Sequence, residues 1–135
     1  MEEGETSKMN PKESLYDSLG GAEGIHRLVT VFYAKVQLHP QLSPLFPEDI
    51  TPVLEKQYQF LSQFFGGPAL FSEQHGHPMM RARHMHVPIT PALAEDWLAC
   101  MKAALEETGV EESLRTFVLN RLAGPAHHFV NMPHE

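Results

Sequence analysis

Apolar residues recur at three- and four-residue spacing in four stretches of this chain, and no segment alternates convincingly at period two. Between 22 and 38 the stripe is Ile25, Leu28, Val29, Phe32 and Val36, the pattern of a helix with one buried face. A second helix is expected from Thr51 to about Phe65, with Val53, Leu54, Gln57, Phe60, Leu61 and Phe64 inward. A third begins after Thr90, carries Leu93, Trp97, Cys100, Met101, Ala104 and Leu105, and stops near Gly109. The last spans about Glu111 to Val130, with Leu114, Phe117, Val118, Leu122 and Phe129 facing in and a kink expected at Gly124-Pro125. The chain is therefore predicted to be all-α.

Punctuation between these stretches is strong. Gly20-Gly21 closes a short helix over 12–19, and His39-Pro40 ends the helix after it. Residues 40–49 read as a compact connector with Leu42, Leu45 and Phe46 turned inward. Thr51-Pro52 and Thr90-Pro91 each read as an N-cap followed by proline at the first helical position. Gly66-Gly67-Pro68 opens a loop over 68–88, with one helical turn expected around Met79 to His84. Residues 1–11 are expected to form a flexible acidic tail, and 12–135 a single domain.

Composition narrows the function classes. Ten basic against seventeen acidic residues give a formal charge of -7, which argues against nucleic acid, whose phosphates require clustered Lys and Arg. No run of eighteen apolar residues occurs, so no membrane-spanning helix is expected. With one cysteine, Cys100, and no secretory signal at the start, a cytoplasmic location is the expectation. Nine histidines in 135 residues stand out, because neutral imidazole is the commonest metal ligand.

Three polar side chains interrupt apolar helix faces: Tyr33, Gln57 and Trp97. A buried amide without partners costs on the order of 1–3 kcal/mol, so these groups either bond one another or converge on a small polar ligand. His84 follows a short basic segment, Arg81-Ala82-Arg83, between the glycine-rich loop and the third helix. That placement suits one imidazole aimed at a metal, most simply a haem iron. His75-x-His77 with His84-x-His86 is poor evidence for zinc, since structural zinc sites normally include cysteines. Cys100 lies on an apolar stripe, where a thiol behaves as a small hydrophobe.

In order along the chain, Phe32-Tyr33, Leu45-Phe46-Pro47-Glu48-Asp49, Lys56-Gln57, Phe65-Gly66-Gly67-Pro68, His75-Gly76-His77-Pro78, Arg81-Ala82-Arg83-His84, Trp97 and Val130-Asn131 form a specific set. With it, the chain resembles the truncated haemoglobins of group II over about residues 14–131. The resemblance implies a two-over-two helical sandwich around haem b, with a long loop and short turn replacing the F helix. It implies His84 as proximal iron ligand and Tyr33, Gln57 and Trp97 as the distal hydrogen-bonding set. Phe46 would pack on the haem face, and Val53 would stand where many globins place a distal histidine. Phe60, Leu61 and Met80 would line the porphyrin, and Arg83 and Lys56 would pair with its propionates.

The implied function is reversible binding of O2 and related ligands such as CO, NO, cyanide and sulfide. A reductase is the implied protein partner, and the chain is expected to be a monomer or weak homodimer. The alternative from the same resemblance is a haem-dependent redox enzyme of nitric oxide dioxygenase or peroxidase type. His86 and Val87 depart from the proline and phenylalanine often found in related sequences.

Overall fold

The computed structural model describes residues 14–76 and 89–128. Its helices are α1 (Leu15–Ser18), α2 (Gly21–Leu38), α3 (Thr51–Phe64), α4 (Leu70–His75), α5 (Pro91–Glu107) and α6 (Glu112–His128), with a 3-10 turn at Ser43–Leu45. Helices α2 and α3 form one pair, α5 and α6 the other, and the pairs join where α2 packs on α5. This is the expected two-over-two arrangement.

The α2 stripe is buried as the spacing requires: Ile25, Val29, Phe32 and Val36 have no accessible surface and Leu28 almost none. It meets Leu61 of α3, Met101, Ala104 and Leu105 of α5, and Val118 of α6 in one core. Burying a side chain of this kind stabilises the fold by about 1.5–3 kcal/mol relative to leaving it in water.

Both helix starts marked by Thr-Pro are real, but only one is capped as expected. Thr90 Oγ1 accepts from the Leu93 amide at 3.1 Å. At α3 the boundary falls one residue earlier, with Ile50 in the cap position. There the Asp49 carboxylate accepts from the Thr51 amide at 3.1 Å, so the acidic residue takes the role expected of the threonine hydroxyl.

The expected inward set on the last helix is too wide. Leu114, Val118 and Leu122 are buried, whereas Phe117 is 40 % exposed. Helix α6 packs chiefly on α5, so it buries a narrow stripe, and Phe117 sits about 100° around the helix from Val118. The helix runs through Gly124-Pro125 to His128, as expected. Pro125 has no amide to donate to the Arg121 carbonyl four residues back, so one bond of the helix ladder is missing near its end. Phe129 and Val130 lie outside the described residues.

Helix α4 is a second difference, since its six residues fall in a segment expected to be loop. Its sequence is short and has no marked periodicity; tertiary bonds hold it. The Gln63 amide clips it to α3 from both ends: Oε1 accepts from the Ser72 amide at 2.9 Å, and Nε2 donates to Ser72 Oγ at 2.8 Å. His75 Nε2 lies 2.8 Å from Gln59 Oε1.

The Gly66-Gly67 turn before α4 is dictated by close approach. Gly66 has φ +92°, and a Cβ on Gly67 would fall 2.6 Å from the Tyr16 ring. With the Tyr16 amide donating to Phe65 O at 2.8 Å, α1 lies directly over the end of α3.

One core group is unsatisfied. The Ser62 side chain has no accessible surface, and its hydroxyl has no hydrogen-bond partner among the described residues. Removing a desolvated, unpaired hydroxyl should help rather than harm. Ser62→Ala is expected to raise stability by about 1 kcal/mol, measured as a higher denaturant midpoint at unchanged slope.

Candidate haem pocket

The aromatic residues singled out in the sequence converge. Tyr33 and Phe32 come from the middle of α2, Phe46 from the connector after the 3-10 turn, and Trp97 from the second turn of α5. The Phe32 ring stands edge-on to Tyr33 at 4.8 Å between centroids and to Trp97 at 5.0 Å. Tyr33 meets Phe46 edge-on at 5.7 Å. Through these contacts the phenol and the indole both meet one phenylalanine ring, although 64 residues separate them in sequence.

Gln57 lies on α3, the helix paired with α2, four residues after Val53 and three before Phe60. Phe46, Val53, Gln57, Phe60 and Trp97 are all half-buried, whereas Leu61 behind them is fully covered by the core. Lys56 is exposed, on the solvent side of the same helix as expected. His84, Arg83 and Met80 lie outside the described residues, as do His77 and His86.

The hydrogen-bonding state of the three polar groups separates the two readings left open by the sequence. Tyr33 is only 3 % exposed, and among the described residues neither its hydroxyl nor the Gln57 amide nor the Trp97 indole makes a hydrogen bond. Mutual pairing is therefore not how they are satisfied. Burial also pushes the Tyr33 phenol well above its ordinary pKa of 10.0, so it stays protonated, and a donor, throughout the neutral range.

This donor set fits haem and its small ligands. It sits beside aromatic and aliphatic side chains that retain accessible surface, which suits a flat apolar macrocycle, while its polar tips suit a diatomic ligand carrying partial negative charge. Among the described residues no three His, Cys, Asp or Glu side chains cluster as a conventional metal site. Cys100 is buried, and desolvation raises its thiol pKa, with the Asp96 carboxylate adding to the rise and Lys35 opposing it. Such a thiol is no nucleophile. His127 is a surface residue, 2.9 Å from the Glu95 carboxylate.

Phe32 is the residue whose importance the sequence understated. It is legible as one member of an apolar stripe, and only the side-chain contacts show that it touches two of the three candidate donors.

Two paired helices on two, with an aromatic cluster where α2 meets α5, are the architecture of a globin of reduced size, a class of haem proteins. The bacterial-like globin family matches residues 14–131. The chain belongs to that family, and within it to the group II truncated haemoglobins. It is 48 % identical over 116 residues to the group 2 truncated haemoglobin YjbI of Bacillus subtilis, covering 86 % of this chain and 87 % of that one. The crystal structure of the group II truncated haemoglobin from Bacillus anthracis superposes with a TM-score of 0.88 at 50 % identity, covering 91 % and 95 % of the two chains. The truncated oxygen-avid haemoglobin from Bacillus subtilis superposes at 0.84 and 47 % identity, covering 88 % and 100 %. No helix among the described residues is long and apolar enough to cross a membrane.

Proposed function

We propose that this chain holds haem b through His84 and binds O2 and related diatomic ligands reversibly and tightly. Haem would supply a ferrous iron with one coordination position open to small ligands. The observation that carries the rest is the set of donors on α2, α3 and α5 that make no hydrogen bond among the described residues.

On this reading the Tyr33 hydroxyl and Trp97 indole donate to the ligand, and the Gln57 amide joins or orients them. A ligand carrying partial negative charge accepts these bonds better than neutral CO does. At a net ~1 kcal/mol per hydrogen bond, two or three donors slow release by roughly thirty- to more than a hundredfold. That suits storage, sensing or chemistry on O2 better than bulk delivery. The avidity named for the Bacillus subtilis relative supports the same direction.

Phe46, Val53, Phe60 and Met80 would line the macrocycle, with Leu61 packed behind, and Arg83 and Lys56 would pair with its propionates. Charge-assisted pairs of this kind orient more than they bind when solvent-exposed. A reductase that keeps the iron ferrous completes the proposal.

The assignment of His84 has a direct test. His84→Ala is expected to abolish the five-coordinate ferrous absorption spectrum of the dithionite-reduced protein. An unchanged spectrum would move the ligand elsewhere, with His86 and His77 the next residues to replace.

A further inference from the structure

We infer that Phe32 is a positioning residue that sets the orientation of two ligand-facing donors at once, Tyr33 and Trp97. The inference rests on the reading that these two groups act on the ligand, and it adds what holds them in place.

Neighbouring residues on a helix diverge by about 100°, so Phe32 and Tyr33 would ordinarily serve different faces of α2. Here their rings meet edge-on, at 4.8 Å and an interplanar angle of 76°. The Trp97 indole meets the same Phe32 ring at 5.0 Å and 65°. Phe32 has no accessible surface, so it has no room to swing away from either partner. Tyr33 has a second aromatic neighbour in Phe46; among the described residues Trp97 has only Phe32.

Among the described residues neither donor is anchored by a hydrogen bond, so packing selects its rotamer. Edge-to-face contacts have a preferred geometry, unlike aliphatic ones. A buried flat ring in edge-to-face contact with both phenol and indole therefore restricts both of them at once. A leucine would fill most of the space, leave a small void, and present no ring edge. The two donors would then sample alternative rotamers, and the bonds to the ligand would loosen together.

The chain contains a single tryptophan, which supplies a readout independent of ligand release. In the full-length ferric, cyanide-bound protein, Trp97 gives the sole indole N–H proton resonance, and its shift reports its position relative to the iron. Phe32→Leu should displace or broaden that resonance and speed O2 release roughly tenfold. Its effect on release should also be non-additive with Tyr33→Phe, the double variant falling at least about threefold short of the product of the singles.

Val36→Ala, at another fully buried α2 position, serves as the control for general loosening of the core. It should leave the resonance in place. An unmoved resonance in Phe32→Leu, rates that multiply, or an equal displacement by Val36→Ala would each overturn the inference. If Phe32→Leu fails to fold, Phe32→Met carries the same test with less change in volume. Should Tyr33→Phe alone leave O2 release unchanged, the ligand-donor reading falls, while the indole resonance still decides whether Phe32 places Trp97.

Discussion

The haem-loaded Tyr33→Phe, Gln57→Leu double variant is expected to release O2 roughly a hundredfold faster than the parent chain. Two hydrogen bonds at ~1 kcal/mol each account for about thirtyfold. The rest follows from Trp97, whose remaining bond weakens once its neighbours no longer hold the ligand in line. The single variants should each fall short of the double, because the donors act on one acceptor and couple. CO release should change by less than about threefold, since neutral CO accepts weakly. Stopped-flow displacement of O2 by CO measures both rates. Release no faster than in the parent chain would remove the distal network from the account.

Such substitutions are tolerable in the fold because the groups they remove make no hydrogen bonds among the described residues. Tyr33→Phe deletes a hydroxyl that has no partner among the described residues, and Gln57→Leu places an apolar side chain among Val53 and Phe60. Neither is expected to lower stability by more than about 1 kcal/mol in the haem-free chain. A large loss of stability would point instead to a structural role.

Gly24→Ala is expected to be the most damaging single-methyl change in the described structure. A Cβ at this position would fall 1.9 Å from the Leu19 carbonyl oxygen, far inside any real contact. The same residue lies within α2, where alanine would ordinarily gain about 1 kcal/mol over glycine in helix propensity. Overpacking against backbone costs typically 1–3 kcal/mol and at times more, and here the offending atom is a carbonyl that cannot rotate aside. Sterics should win by about 2 kcal/mol. That corresponds to a fall in melting temperature of roughly 10 °C, read by circular dichroism at 222 nm. Unchanged melting would mean that the corner between α1 and α2 gives way freely, and that the close approach is not required.

Much of this was open to reading along the chain. Ile25, Leu28, Val29, Phe32 and Val36 are spaced for one face of one helix, and that face is the centre of the core. Proline and glycine marked the helix ends to within a residue or two, because their backbone preferences are local. The order of motifs from Phe32-Tyr33 to Trp97 pointed to the family that the comparisons then showed. Helix α4 was not legible, because bonds from Gln63 and Gln59 hold it rather than its own pattern. Phe117 was misplaced because periodicity states which side of a helix is apolar, not how wide a stripe its neighbours cover.

Local and periodic properties thus came from the chain itself: the helices, the acid-rich surface, and the presence of a tyrosine, a glutamine and a tryptophan on apolar faces. Whether those three satisfy one another could not be read from it, since that depends on angles and distances between helices far apart in sequence. Only the packing of α2 on α3 and α5 leaves their donors without a hydrogen bond among the described residues and sets one phenylalanine ring against two of them. Spacing along a helix determines the face; what that face meets is decided by the rest of the fold.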